Sequence, residues 1–382
     1  MICWIDYVRF ASILCRNKKF EDAKKCLKNV EDALQDDTQS NELRFEIANL
    51  YAMMKCHDKA IQLYHQALDT CPESVQVLVN IAAQQMIIGQ LEGALEHCER
   101  ALVSKFSCRE AHYNLNAVLR RLGRQKEAIE RCWEYIEKEV GLVIRPQFTA
   151  RNEVKCVPKS VSILCVKWGT KYGPEYVNRL YKAVDRFTST CKFEFYCLTD
   201  NSDGIDERIV ILPLLIELTG WFVEIPTLEL MAHCQLWNAE HCVYLDLDTV
   251  VIANIDHILQ YPTSSLGVLK TDSMRNEARM GGYNSSIMIW NTSSSDLDRI
   301  CTVLLQYFET ISRYIYKFDH WLEMMIIQAD ILQDALPDSI VEYNSLDTSS
   351  PDLPSNASLV CFPLHPKPHD ATAPWVKTFW RD

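Results

Sequence analysis

The 382-residue sequence lacks a long apolar run, a glycine-rich loop and an excess of basic residues. Without an apolar run of roughly 18 residues, no membrane span is predicted. Glycine occurs 11 times and never in a phosphate-binding loop, which disfavours a nucleotidyltransferase or phosphotransferase. The net charge of −12 does not provide the basic surface that a nucleic-acid partner requires.

The sequence also shows no features of an exported chain. Its first residues have no basic segment, and Asp6 and Arg9 interrupt any apolar run, so no signal peptide is predicted. The 16 cysteines include no C-x-x-C pair and mostly have apolar neighbours, as at Cys15 and Cys165. A disulfide framework or a thiol site is one interpretation; buried, reduced thiols are favoured and indicate a cytoplasmic location.

Negative charge is concentrated in the second part of the chain. Residues 1–150 hold 20 Lys or Arg against 21 Asp or Glu, whereas residues 151–382 hold 19 against 30. A chain of this length exceeds what one hydrophobic core usually organises, so two domains are expected. An acidic domain can still take a phosphorylated substrate if a metal ion and local cations offset the repulsion.

An internal period of 34 residues runs through the first part of the chain. Three units begin at Asn41, Val75 and Arg109, and a further unit from Trp4 precedes them, offset from the period by a three-residue slip near residues 36–38. The twentieth position of the regular units is alanine: Ala60, Ala94 and Ala128. Small side chains there let two helices approach closely, and the spacing resembles the tetratricopeptide repeat. We expect an α-α solenoid over residues 1–142; a generic amphipathic bundle is the alternative.

Solenoids of this kind form a concave groove that can hold a peptide or a partner protein. Three asparagines on the first helices, Asn49, Asn80 and Asn114, are the candidates for lining it. A purely structural role, extending or dimerising the rest of the chain, explains the array equally well.

After Gly141 the helical period stops, and residues 143–158 form a polar connector. Residues 159–382 alternate apolar runs of strand length with helical patterns, which predicts an α/β domain with a mostly parallel sheet. The predicted strands are Val161–Val166, Ile209–Leu212, Cys242–Leu245, Leu266–Leu269, Ile287–Trp290 and Leu359–Phe362. The predicted helices are Pro174–Phe187, Pro226–Trp237 and Asp296–Tyr314.

The strongest chemical signal is the segment Cys242-Val-Tyr-Leu-Asp246-Leu-Asp248. Four apolar residues form a buried strand, and two carboxylates follow at its carboxyl end, two residues apart and therefore on one face. Buried carboxylates side by side need a cation between them, and hard oxygen ligands suit Mn²⁺ or Mg²⁺. A solvated turn is the alternative interpretation of this pair.

This segment resembles the metal-binding D-x-D motif of GT-A-fold glycosyltransferases, especially the family 8 enzymes such as glycogenin. Three further segments agree in order and spacing, and the resemblance covers about residues 160–380. They are Val166-Lys-Trp-Gly169-Thr170-Lys-Tyr172, Gly282-Tyr-Asn284-Ser285-Ser286 and Cys361-Phe-Pro363-Leu-His365-Pro-Lys367-Pro368. The resemblance implies a GT-A domain, with a Rossmann-like, mostly parallel sheet.

The resemblance also implies the roles of four residues on the nucleotide side. Asp246 and Asp248 would bind the divalent metal and, through it, the diphosphate of a nucleotide-sugar donor. Thr170 and Tyr172 would help to hold the base and the ribose. Tyr172 as a plain surface aromatic is the alternative.

On the sugar side, the resemblance places Asn284 and Ser285 near the transferred sugar and Lys367 at the phosphates. A turn residue at Asn284 and a solvated charge at Lys367 are the alternatives. The family's Asp-Gln pair is Asp319-His320 here, and these are the predicted catalytic residues, with Asp319 on the acceptor side. A helix cap at Asp319 is nearly as good an explanation. Family 8 enzymes transfer with retention of configuration, which no feature of this sequence demonstrates.

Besides the histidine at position 320, two further departures from the family pattern bear on activity. The family's third metal ligand, a histidine, aligns with Pro363, which cannot coordinate a metal. His365 lies two residues on and would face the same side in an extended segment, so we expect it to replace that ligand. An exposed histidine in a proline-rich tail is the alternative interpretation. A lysine found in relatives is replaced by Glu224, whose charge would repel a diphosphate.

These features predict a metal-dependent glycosyltransferase that moves a sugar, UDP-linked by resemblance, to a protein or glycan acceptor. The helical repeats would bind the acceptor or a partner protein. The alternative is a repeat-containing adaptor whose transferase domain binds nucleotide sugar but is weakened or inactive. The intact carboxylate pair favours catalysis, whereas Glu224 and Pro363 favour the adaptor.

Overall fold

The computed structural model divides into two compact units, Met1–Cys132 and Trp133–Asp382. Most of the predicted connector lies outside the described residues, as do Glu224 and the predicted helix Pro226–Trp237. The described residues are 4–33, 41–146, 158, 160–214, 241–263, 266–272, 274, 281–292, 295–315, 317–326, 329–348, 352–353 and 355–380.

The described residues up to Val140 form eight α-helices in four consecutive pairs. They are α1 (Trp4–Arg16), α2 (Phe20–Ala33), α3 (Asn41–Met53), α4 (His57–Leu68), α5 (Val75–Ile87), α6 (Leu91–Ser104), α7 (Arg109–Arg121) and α8 (Gln125–Val140). The starts of α3, α5 and α7 follow the 34-residue period of the sequence. The prediction of a tetratricopeptide-like helical repeat is confirmed; α8 contains the boundary between the two units.

Small residues occupy fully buried positions in the repeat. Ala60, Ala94 and Ala128 each have 0% of their surface exposed, as predicted from their shared position in the repeat. A larger side chain at these positions would meet the neighbouring helix. The repeat therefore depends on side-chain size as well as on apolar character.

Each helix pair turns through one residue with positive φ: Lys18 (59°), Lys55 (60°), Gly89 (82°) and Gly123 (72°). At Gly89, the N–H of the glycine donates to Met86 O, and the next N–H donates to Gln85 O at 2.9 Å. This is the Schellman arrangement, which satisfies carbonyls left free at a helix end. Glycine adopts that conformation without steric cost, whereas lysine does not.

The three asparagines considered for the groove link neighbouring helices. Asn49 Oδ1 accepts hydrogen bonds from Tyr64 OH at 2.5 Å and from Asn80 Nδ2 at 2.9 Å. Asn114 Nδ2 donates to Val79 O at 3.2 Å. All three side chains are half-buried, so these contacts between helices account for them without a ligand.

The second unit is built on strands separated by helices. The strands are β1 (Ser160–Lys167), β2 (Lys192–Thr199), β3 (Val210–Pro213), β4 (His241–Leu245), β5 (Val250–Val251), β6 (Leu266–Lys270), β7 (Tyr283–Asn291), β8 (Asp330–Ile331), β9 (Ile340–Glu342) and β10 (Leu359–Cys361). The helices are α9 (Pro174–Phe187), α10 (Asp256–Leu259), α11 (Ser295–Tyr314), α12 (Phe318–Met325), α13 (Leu332–Ala335) and α14 (Pro374–Phe379).

Within the described residues, seven strands form one sheet in the order β3-β2-β1-β4-β7-β6-β8, and three form a second in the order β5-β10-β9. In the larger sheet β7 is antiparallel to β4 and β6, and the other pairs are parallel. The prediction of a mostly parallel sheet covered by helices is confirmed. From β1 the chain continues to β2 and β3 on one side, while β4 lies on the other side of β1. In such sheets ligands bind beyond the carboxyl ends of the two strands at this switch point.

None of the helices in the described part of the chain combines the length and the apolar character needed to cross a bilayer. The cysteines of the same ranges are free thiols, and most of them are buried, including Cys165 and Cys242 at 0% exposure.

Candidate functional site

The carboxyl ends of β1 and β4 bring two sequence motifs to one edge of the sheet. The strands pair in parallel, with Ser162 opposite Cys242, so the segments that follow them leave on the same side. Every residue of β4 is buried, which fixes its position. Asp246 comes next; its N–H donates to Ser286 O at 2.9 Å, and its carbonyl accepts from Thr249 N–H at 3.0 Å.

Asp248 is held by two donors from distant parts of the chain. Its Oδ2 atom lies 2.7 Å from Lys367 Nζ and accepts a hydrogen bond from Tyr172 OH at 3.0 Å. Lys367 Nζ also donates to Phe362 O at 2.8 Å. Asp248 and Lys367 are 5% and 8% exposed, so this is a buried ion pair.

Asp246 lies in a different hydrogen-bonding environment. Its Oδ1 atom accepts from Tyr244 OH at 2.7 Å, and Ser286 also bonds to its side chain. Burial and the nearby Asp248 carboxylate raise the pKa of Asp246 well above its usual range, while Tyr244, Ser286 and Lys367 oppose that rise. The two carboxylates therefore repel each other electrostatically, which is the condition under which a cation binds between them.

Tyr172 is turned toward the carboxylates. Its ring lies 4.6 Å from the ring of Tyr176, and its hydroxyl donates to Asp248. Burial raises the pKa of Tyr172 above its usual value, and the charge of Asp248 raises it further, so the hydroxyl stays a donor. Thr170, in contrast, is exposed in the turn after β1. Of the two residues predicted to hold the nucleoside, Tyr172 is the one in contact with the carboxylate pair.

The segment Asn284 to Ser286 lies in β7, beside β4. Asn284 is 5% exposed, and its Oδ1 accepts from Ser286 N–H at 3.0 Å. Ser285 N–H donates to Asp319 Oδ1 at 2.9 Å. Asp319 lies in the first turn of α12, whereas Lys317 occupies the N-cap position, so Asp319 is not the helix cap. The structure brings Asp319 to the segment that was predicted to lie near the sugar.

His320 follows Asp319 in α12, and its side chain is 1% exposed. Its catalytic role stays a prediction. A histidine this deeply buried would act on the acceptor only through neighbouring groups, because it presents almost no surface of its own.

The structure does not bring His365 to the carboxylate pair. Residues 363–366 form a bend, so the alternation of facing that an extended segment would give does not hold. His365 is exposed, its carbonyl accepts from Asn344 Nδ2 at 3.1 Å, and Lys367 reaches Asp248 instead. Across the described ranges, no three His, Cys, Asp or Glu side chains form a group that could hold a metal. The prediction that His365 is the third ligand was therefore wrong in its geometry.

Two carboxylates still suit a hard divalent cation. Mg²⁺ and Mn²⁺ are commonly held by one or two carboxylates, with water and substrate phosphate oxygens completing the shell. Asp246 and Asp248 would supply those carboxylates.

Tyr244 and Ser286 support the site but were not singled out from the sequence. Tyr244 is two residues before Asp246 in β4, and that spacing placed it on the same face. Ser286 belongs to the Asn-Ser-Ser segment, and only the pairing of β7 with β4 shows that it reaches Asp246.

The first unit has a cavity of about 750 Å³ between α2, α3 and α4. Its volume is within the range of ligand pockets, about 300–1,000 Å³. Glu31 accepts from Tyr51 OH at 2.6 Å and pairs with Lys59 Nζ at 2.8 Å. The charged residues of the lining are Lys24, Lys25, Lys28, Arg44, Lys59, Glu21, Glu31, Asp32 and Asp69. A lining of both signs is compatible with a mixed-charge peptide.

No protein-family model matches the chain, and no curated protein sequence matches it significantly. Solved structures similar to part of it include MamA, at 14% identity and a TM-score of 0.32, covering 35% of this chain and 78% of that one. Another MamA crystal structure is 19% identical, with a TM-score of 0.32 and coverage of 36% and 74%. The TPR domain of Sgt2 from Aspergillus fumigatus is 30% identical, with a TM-score of 0.25 and coverage of 27% and 68%.

Proposed function

We propose that the second unit is a GT-A-type glycosyltransferase that uses a nucleotide-sugar donor, with UDP-sugars as the first candidates. The observation that supports this most is the meeting of Asp248, Tyr172 and Lys367 at the switch point of the sheet. Nucleotide ligands bind at such points in open α/β sheets. A carboxylate pair beside a lysine suits a metal-bound diphosphate.

In the proposed reaction, the bond between the sugar and the diphosphate breaks and a bond to the acceptor oxygen forms. The electron pair of the broken bond leaves with the nucleoside diphosphate, and the hydroxyl proton passes to that leaving group or to water. A bound Mn²⁺ or Mg²⁺ would supply positive charge to the leaving diphosphate. Lys367 would donate hydrogen bonds to phosphate oxygens, and Tyr172 would orient the Asp248 carboxylate. Asp319, fixed on the backbone of Ser285, would position the segment nearest the sugar.

The test is a panel of nucleotide sugars incubated with the chain and Mn²⁺, with release of nucleoside diphosphate as the readout. Asp248→Asn keeps the size of the side chain but removes its charge, and should lower release by about 100-fold. Asp203→Asn, at an exposed aspartate, is the matched control and should leave release unchanged. The transferase proposal is wrong if no donor in the panel is turned over, or if both variants behave alike.

The second candidate is an adaptor that binds nucleotide sugar without turning it over. What favours it is that the carboxylate pair has no third acidic or histidine ligand among the described residues. Calorimetric binding of UDP and UDP-sugars without product release would support the adaptor. In either case we propose that the helical repeats bind a protein partner or the acceptor, with the 750 Å³ cavity as the first place to test.

A further inference from the structure

The ion pair between Lys367 and Asp248 is buried on both sides. The two side chains are 10% and 7% exposed, and the ammonium lies 2.7 Å from Oδ2. Tyr172 donates to the same oxygen, and Lys367 is also anchored to the carbonyl of Phe362. One oxygen of the carboxylate pair therefore already interacts with a cation and with a hydroxyl donor.

A divalent cation would compete with Lys367 for that oxygen. Both are positively charged, and water screens their repulsion poorly in a buried site. A metal ion bound through Oδ2 would also need the lone pairs to which Lys367 and Tyr172 donate. An ammonium that lost Asp248 without finding another anion would stay buried and uncompensated, which is strongly unfavourable. Metal binding through Oδ2 of Asp248 therefore requires a new anionic partner for Lys367.

A diphosphate is such a partner, because its oxygens accept strong charge-assisted hydrogen bonds from an ammonium. We propose that Lys367 is the resident cation of the site, and that metal and diphosphate bind as a pair while the ammonium passes from Asp248 to a phosphate oxygen. The proposal rests on the proposed function for the identity of the anion. The competition between Lys367 and the metal requires only Asp248.

The test is the affinity of the full chain for Mn²⁺ alone, followed by the electron paramagnetic resonance signal of free Mn²⁺. Lys367→Met removes the charge and keeps the length of the side chain. It should strengthen Mn²⁺ binding at least about tenfold, which corresponds to about 1.4 kcal/mol. UDP should strengthen Mn²⁺ binding to the wild-type chain, after correction for Mn²⁺ held by free UDP. In Lys367→Met, UDP should increase the affinity for Mn²⁺ much less than it does in the wild-type chain.

Two control variants separate competition by charge from other effects. Lys377→Met removes an exposed lysine of α14 and should leave Mn²⁺ affinity unchanged. Tyr172→Phe, within the site itself, removes a neutral donor from the same oxygen and should strengthen Mn²⁺ binding less than Lys367→Met does, because no charge is lost. Circular dichroism melting establishes that each variant is folded, and Lys367→Gln replaces Lys367→Met if the latter is not.

Unchanged or weaker Mn²⁺ binding in the folded Lys367 variant would overturn the inference. This outcome is distinct from failure of the transferase proposal, since Mn²⁺ affinity is measured without turnover. Tighter binding with no donor turned over would leave the competition standing and remove the transferase. Turnover of a donor by the wild-type chain, with unchanged Mn²⁺ affinity in the Lys367 variant, would support the transferase and rule out the competition.

Discussion

The helical array and the sheet domain are each stabilised by a different kind of internal contact. In the array, a fully buried alanine recurs every 34 residues, and Ala60, Ala94 and Ala128 occupy that same position in successive helix pairs. In the sheet domain, each important contact occurs once and joins distant residues, as between Tyr172 and Asp248, which are 76 positions apart. A repeat distributes its stability over many similar contacts, whereas the site depends on a few that have no substitute.

Asp256 is the clearest example of a contact that occurs only once in the sheet domain. Its carboxylate accepts many hydrogen bonds. Its carboxylate receives the backbone N–H groups of Ser189, Thr190 and Cys191, the hydroxyls of the first two, and the amide of Asn254. It ties the start of β2 to α10 across more than 60 residues. Nothing comparable joins neighbouring helix pairs in the described part of the array.

We therefore expect the largest loss of stability when Asp256 is replaced. Asp256→Ala would remove the charged acceptor that all these donors share, of which only Cys191 is buried, and should destabilise the sheet domain by about 2–3 kcal/mol, since hydrogen bonds to a charged group are among the stronger ones. Hydrogen-exchange mass spectrometry should show faster exchange in β2 and α10, with exchange in the array unchanged. Asp203→Ala, at an exposed aspartate, should have no measurable effect. Equal loss of protection in both regions would mean that the two do not differ as described.

The same residue predicts how stability depends on pH. Burial alone would raise the pKa of Asp256, but the hydrogen bonds from Ser189, Asn254, Cys191 and Thr190 hold that pKa well below its usual value. A carboxyl with a depressed folded-state pKa contributes stability above its unfolded pKa of about 3.9 and loses it as the pH falls toward the folded value. The wild-type advantage over Asp256→Ala should thus be full near neutral pH and should shrink below about pH 4.

An intermediate effect is expected inside the array. Ala94 is fully buried at the contact between helices, so Ala94→Leu should overpack it and cost about 1–3 kcal/mol. Exchange should quicken in the helices that contain and neighbour Ala94, while the sheet domain stays unaffected. Val103→Leu, at a position 89% exposed near the end of α6, is the matched control. If Ala94→Leu were tolerated like this control, side-chain size would not be what specifies the repeat.

The sequence predicted the array better than the site for a physical reason. The repeat is a local pattern, so Ala60, Ala94 and Ala128 could be assigned from their spacing alone. In the sheet domain, the buried β4 and its two carboxylates were recognisable because they are contiguous. The pairing of Asp248 with Lys367 was not, because no local pattern reports a contact made across the fold.

Two further failures have equally specific causes. The sequence analysis did not predict β2. The first half of this strand carries exposed charged residues, such as Lys192 and Glu194, and therefore lacks the apolar run by which the other strands were predicted. His365 was placed near the metal on the assumption of an extended segment, and the bend at residues 363–366 removes that alternation.

The smallest expected effect tests whether the turns of the array are as interchangeable as its helices. Lys55 and Gly89 occupy the same turn position with φ of 60° and 82°. A left-handed conformation costs a residue with a Cβ about 1–2 kcal/mol, partly offset by the greater freedom of glycine in the unfolded chain. Lys55→Gly should therefore stabilise the α3–α4 pair by about 0.5–1 kcal/mol, and Gly89→Ala should destabilise the α5–α6 pair by a similar amount. A Cβ at Gly89 would meet no atom within 4 Å, so the loss there can come only from the backbone.

Hydrogen exchange measures both effects. Slower exchange in α3 and α4 of Lys55→Gly, together with faster exchange in α5 and α6 of Gly89→Ala, would establish that the turns of these two helix pairs are equivalent. Changes of the same sign in both variants would show that the lysine side chain stabilises its turn by contacts of its own.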